Sequence, residues 1–440
     1  MGNFIMSSMI KPHFGALLNR DSDGFAKQIT VGGLARCRIS SQCIKRVIRA
    51  SRKWSSELLR TSHIEDLVES LLKIAVGTGD ITEEDADKLG DIICRLLGGK
   101  WEIRESKVGR ASKDDEGKGR TITAATPFEI VTVYTTVLNL YKANKELGVA
   151  EVEEVKETEE AETKDKKDKK KKKASIAIYK DAVEKVLATV PMCIEKAMFG
   201  TMVADNDSAF ATIDGAVEIT QSISIDELVP ENDFGTATFS RGGAVDDPYA
   251  GAFDVFAGVQ ESRRESQTMF DSWLTSNTMF TGTTVNIDYL KNNLGRNTLN
   301  TKLDIAEEIL MDTIISVVSE YLAVFPLADP TGKQHSASSH PVPAIYYLEY
   351  IKDGDRRYPI DLSKVIRNTK DKSITEQGVE RFLEFAKDET FREGEIHRYV
   401  MLSAGYKQYE KDFAEAGVTV IKNLKELKAV TEKEIRRLNA

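Results

Sequence analysis

Hydrophobic positions along the chain switch between two spacings. Asn3–Ile10 is a near-continuous run that predicts a first strand. Glycines and turn formers follow, including Gly32-Gly33; Ala35–Ile39 then reads as extended and ends at Ser40-Ser41, either of which can cap a helix. Ile44, Val47, Ile48 and Trp54 recur at helical spacing, which predicts an amphipathic helix over 42–58. Residues 61–149 are helical in pattern. Ile64, Leu67, Val68, Leu71 and Leu72 mark one helix, and Thr82 caps a second that stops at Gly98-Gly99. Thr126-Pro127-Phe128-Glu129 fits a capping box with proline at the first helical position. A further helix over 175–198 is interrupted near Pro191. Leu303–Val324 predicts an apolar helix stopped by Pro326, and Val342–Ile351 a buried strand. The last 70 residues alternate short helices with the strand-like VTVIKNL. Strands at both ends with helices between them indicate an α+β core with excursions rather than a βαβ series.

Two stretches fit neither spacing. Residues 151–174 carry nine acids and nine lysines with almost nothing to bury, which reads as a disordered charged linker. Residues 224–284 hold six glycines and two prolines and are long for a connector in a compact domain. Long loops of this kind are more often functional or disordered.

A chain of 440 residues has room for about three domains. With 41% hydrophobic and 30% charged residues it can bury a sizeable core, and no run approaches the ~20 apolar residues of a membrane span. The N-terminus has no signal-peptide pattern, and the four cysteines form no CxxC pair, so a cytoplasmic setting and no membrane partner are expected. The net charge of −9 disfavours a nucleic-acid partner until its distribution is considered. The first 60 residues carry eleven basic and three acidic side chains, a local +8, leaving −17 on the remainder. A basic block on an acidic body can bind a polyanion locally.

Catalytic motifs are missing: there is no GxxxxGK[ST], HExxH or GxSxG. His335 and His340 stand in a polar loop without further ligands nearby in sequence, so no metal or other cofactor is expected. Cys37 and Cys43 read as small buried residues. Asp21 and Asp23 are the only acids inside the basic segment, where a turn-forming role fits them better than catalysis. What remains is a binding surface. Arg20, Lys27, Arg38, Ser40, Gln42, Lys45, Arg46 and Arg49 place cations, an amide and a hydroxyl around Gly32-Gly33 and a strand–helix junction. Phosphates and sugars are bound by donors of this kind, and helix starts favour anions.

The string LLNRDSDGFAKQITVGGLARCRISSQCIKR closely resembles the N-terminal signature of the CasC family, which reads LNRDD…K…GG…R.RISSQ.LKR. CasC is the backbone subunit of the type I-E Cascade complex, within the RAMP superfamily of CRISPR proteins. Fainter echoes follow in order at Ala197–Met202, Ile213-Asp214-Gly215-Ala216, Phe239-Ser240 and Pro330–Gln334. Thr201 stands where many relatives have arginine, and the 224–284 segment is longer than usual.

The resemblance implies an RRM-like (ferredoxin-like) palm with an inserted helical finger domain and a thumb β-hairpin. Palm would comprise 1–60, 186–223 and 285–440; the finger would be 61–185, including the charged linker, and the thumb 224–284. It implies a non-catalytic subunit that polymerises along CRISPR RNA, partnered by further copies of itself, the other Cascade subunits and target DNA paired to the guide. It adds Gly200, Thr201, Met202, Lys333 and Gln334 to the RNA-binding set, with Met202 wedged against a guide base. The alternative is a type III-like RAMP backbone that cuts target RNA with a metal-assisted aspartate, for which Asp21, Asp233 or Asp246 would serve.

Overall fold

In a computed structural model, residues 2–51, 59–98, 124–146, 164–203, 208–237, 268–330, 332 and 338–439 are described. The centre of the molecule is β1 (Gly2–Pro12). It pairs antiparallel with β10 (Thr278–Asn286) on one side and β11 (Ile345–Gly354) on the other. Beyond β11 come β12 (Glu395–Leu402), antiparallel, and the short β13 (Thr419–Val420), parallel to β12. Beyond β10 lie β6 (Val217–Ile219) and β7 (Ser222–Ser224). Then β3 (Leu34–Ile39) and β2 (Gln28–Val31) complete that side.

The period-2 alternation of strands sorts the apolar residues of β1 onto two faces. Ile5 and Met9 join the core beneath α1 (Ser41–Ala50), α6 (Ile194–Phe199), α7 (Ile287–Leu294), α8 (Glu307–Val324) and α11 (Leu424–Leu438). Ile10 faces the other way, toward Val379 and Phe382 of α9 (Ile374–Lys387) and Phe413 of α10 (Glu410–Glu415). Both faces of the central strand are therefore covered. Among the described residues, Glu307–Leu327 is the one helical stretch long and apolar enough to cross a membrane. Here its buried side, including Ile314, Val318 and Tyr321, is part of the core.

A second, separate core lies between α1 and α6 in sequence. Ile64, Val68 and Leu72 of α2 (Thr61–Gly77) meet Leu89 and Ile93 of α3 (Glu83–Leu96). Val133 and Val137 of α4 (Pro127–Glu146) and Val183 and Leu187 of α5 (Lys164–Leu187) complete it. Thr82 caps α3 in a reciprocal box with Asp85, and Thr126 and Glu129 do the same for α4, as their spacing predicts. A two-residue ladder, β4 (Leu59–Arg60) with β5 (Ala124–Ala125), closes this unit.

Three expectations need correction. Residues 164–174 of the charged linker are helical, not disordered: lysine is a good helix former, and this backbone is continuous with the packed part of α5. Residues 151–163 lie outside the described residues. The helix expected over 42–58 ends at Ala50, where Ser51 turns extended at ψ 147°, and Trp54 lies outside the described residues. The segment 224–284 does contain an antiparallel hairpin, β8 (Glu231–Ala237) with β9 (Thr268–Leu274). Residues 278–284, however, belong to β10 at the heart of the main sheet. Their polar look is misleading because the threonine hydroxyls are satisfied internally: Thr281 bonds Ser222 at 2.7 Å and Thr283 bonds Tyr321 at 2.6 Å.

Candidate nucleic-acid interface

The Leu18–Arg46 segment is knitted together by a short chain of hydrogen bonds. The Asn19 side-chain oxygen accepts the Ser40 N–H at 3.0 Å. Its backbone carbonyl accepts the Lys27 N–H at 2.8 Å, and the Lys27 carbonyl accepts the Arg38 N–H at 2.8 Å. Arg20 bridges to Ala26 across the intervening loop. Four positions spread over 22 residues of sequence thus converge beside the start of α1. Ser40 caps that helix, its hydroxyl accepting the Cys43 N–H at 3.3 Å. Arg20, Gln42 and Arg46 are exposed, and Lys27, Ser40 and Lys45 are half-buried. Burial, then the neighbouring charge of Arg49, holds the Lys45 ammonium below its usual pKa range, while Glu218 acts the other way.

Other predicted residues have partners within the chain. Arg49 is ion-paired with Glu195 of α6 and lies over the Phe199 ring, 5.9 Å from its centroid. Arg38 donates to the Gln221 side chain at 2.8 Å, and its Nε is buried with no hydrogen-bond partner among the described residues. Arg36, counted in the basic block, is fully buried and donates to the carbonyls of Ser224 and Leu362. Gly32 and Gly33, with φ of 62° and 79°, form a two-residue hairpin turn. A Cβ on Gly32 would overlap the Ser363 carbonyl, so the close approach that glycine permits is to this chain's own backbone. Asp21 makes the expected turn, its carboxylate accepting the N–H groups of Asp23 and Phe25 at 3.0 and 2.9 Å. Cys37 is buried, and burial pushes its thiol up to about 11.

The Arg49–Glu195 pair fastens the second motif to α1. Gly200 ends α6 at φ 74°, where a Cβ would collide with the Ile213 carbonyl, and Thr201 bridges to Ile213. Met202 projects from this turn 76% exposed, which excludes a packing role for it in the core. Lys333 and Gln334 lie outside the described residues, but Gly332 sits against the Leu17 and Leu18 carbonyls, beside Asn19 and Arg20. Asp233 is exposed on β8, and Asp246 lies outside the described residues. Asn19 lies within the signature, but its bridging role is set by the fold. Gln221, the partner of Arg38, has no local signal in the sequence. Among the described residues no three His, Cys, Asp or Glu side chains gather as metal ligands.

No curated protein matches the chain. Solved structures share its fold, among them two chains of CRISPR complexes. A chain of a "CRISPR RNA-guided surveillance complex, pre-nicking" aligns with TM-score 0.65 at 18% identity, covering 99% of this chain and 100% of that one. A chain of a second "CRISPR RNA-guided surveillance complex" aligns with TM-score 0.57 at 16% identity, covering 98% and 99%. The family described as "CT1975-like protein" matches residues 5–429, nearly the whole length. The resemblance to CasC is thereby borne out, and the chain belongs to the CT1975-like family of Cas proteins.

Proposed function

We propose that this chain is a non-catalytic CRISPR-RNA-binding backbone subunit of a type I, I-E-like surveillance complex. Copies of it stack along the guide in the cytoplasm beside the other Cascade subunits, while base pairing to target DNA supplies sequence choice. The observation that carries this reading is the Asn19–Ser40–Lys27–Arg38 network, which holds the flanking cations Arg20, Lys45 and Arg46 around one strand–helix junction. Such an array suits a sequence-independent grip on a single-stranded backbone. The strand order β11-β1-β10-β7, with α1 and α8 as crossovers, has ferredoxin-like connectivity and supports the RRM-like palm. The separate core of α2 to α5 corresponds to the finger and the β8–β9 hairpin to the base of the thumb. Asp21, committed to its turn, argues for the non-catalytic form over a metal-assisted RNA cutter.

The test is the nucleic acid that co-purifies with the chain, run on a denaturing gel. RNase-sensitive material of discrete length is expected; its absence, or DNA alone, overturns the proposal. Complementary RNA added with magnesium should remain uncut, and regularly spaced cuts would favour the cleaving alternative.

A further inference from the structure

Loop 20–26 ends in an aromatic contact that the core does not require. Phe25 lies against Trp273 of β9, ring centroids 5.7 Å apart and planes at 43°. The residues beside them are structural: Ala26 is in the main core, and Leu274 packs on it. Among the described residues neither ring belongs to a hydrophobic cluster, and Phe25 remains 44% exposed. Phe25 thus presents part of an aromatic face to water, backed by a second ring.

The pair is also held in place in advance. The Asp21 carboxylate accepts the Phe25 N–H at 2.9 Å, and the Phe25 carbonyl accepts the Asp21 N–H at 2.9 Å. Because the loop is fixed, covering the ring requires little new ordering. In sequence it is flanked by Arg20, exposed and bridged to Ala26, and by Lys27, half-buried and in the network at the start of α1. An aromatic surface between cations is the arrangement that stacks a base while the phosphates on each side are held.

We infer that Phe25 and Trp273 form a stacking platform for one unpaired nucleobase of a bound strand. This rests on the RNA-binding reading above and adds to it a contact with a base rather than with the backbone. Every base has a π-face, so the platform accepts any of the four and suits a guide of arbitrary sequence. It also ties the basic loop to the root of the β8–β9 hairpin, so occupancy at one is felt at the other.

The test uses the full chain with Trp54→Phe and Trp101→Phe, leaving Trp273 as the sole tryptophan. Its emission is followed during titration with oligouridine RNA, DNA of matched length and an abasic phosphodiester strand. We expect quenching by RNA, and by DNA if an unpaired DNA base is equally accepted, but not by the abasic strand. Phe25→Ala should weaken RNA binding about tenfold and leave abasic binding unchanged, while Phe25→Tyr should bind as the parent does. Equal weakening of both strands by Phe25→Ala, or unmoved Trp273 emission while RNA binds, overturns the platform and leaves the RNA-binding reading intact. If no strand binds at all, both fall together.

Discussion

Lys196 Nζ lies 2.8 and 2.7 Å from the two carboxylate oxygens of Glu129, joining α6 to the first turn of α4. Both side chains are buried, Glu129 also bonds Thr298, and the ammonium stands 4.4 Å from the centre of the Phe210 ring. The helical unit between α1 and α6 is thus pinned to the rest of the chain by a pair of charges shielded from water. Removing one partner strands the other, which costs about 3 kcal/mol or more; removing both avoids that penalty. Lys196→Met should lower stability in urea by that amount, and adding Glu129→Gln should restore part of it. A double variant as weak as the sum of the two single variants would show that the charges are not coupled.

Lys45 and Arg46 sit on successive positions of α1 beside the capped N-terminus. Replacing both with alanine should weaken RNA retention uniformly across guide sequences. The dependence of log affinity on log salt should flatten by about two phosphate contacts. Unchanged salt dependence would remove both residues from the interface.

Met202 projects from the turn after Gly200 instead of packing in the core. Met202→Ala should therefore leave the melting temperature of the RNA-free protein within about 1 °C, since exposed substitutions seldom exceed 0.5 kcal/mol. If the thioether wedges against a guide base, the same variant should change the nuclease footprint on bound RNA. A footprint identical to the parent's would leave Met202 without a role in guide geometry.

His13 is buried beside the Lys11–Asp329 ion pair, its Nε2 3.8 Å from Asp329 and its Nδ1 without a partner among the described residues. Burial, then the charges of Lys11 and His340, lowers its pKa to about 3. The unfolded chain binds a proton near 6.5 that the folded chain refuses. Stability is therefore complete above pH 6.5 and declines as the pH falls toward 3. By pH 5 the loss should be about 2 kcal/mol. His13→Gln should flatten that decline between pH 7 and 5 in urea titrations. Parallel declines in both proteins would assign the acid sensitivity to another group.

Elements with local signals were legible in the sequence. Ser40, Thr82 and Thr126 announce helix starts with their own hydroxyls, and β1 is a plain apolar run. The signature around Leu18–Arg46 is a contiguous string that points to the family, and in the fold its residues meet, with Asn19 at the pivot. Where sequence reasoning failed, the deciding partner was distant. Gly32 meets Ser363, Arg36 bonds Leu362, and the threonines of β10 find hydroxyls on β7 and α8. Arg49 shows the limit most clearly. On its own helix it is one more cation, and its carboxylate partner, Glu195, lies 146 residues away.

The central strand is synthesised well before the strands that flank it. Phe4 pairs with Asn286 and with Ile351, so the neighbours of β1 are made about 280 and 350 residues after it. At about 5–20 residues per second, β1 waits roughly 15 to 70 s for its partners. Throughout that interval Phe4, Ile5, Met6, Met9 and Ile10 lack the strands that bury them. The helices of the second core, whose contacts are closer in sequence, can form meanwhile. A nascent chain stalled before residue 278 would present an unpaired apolar strand, an attractive client for chaperones that bind extended segments.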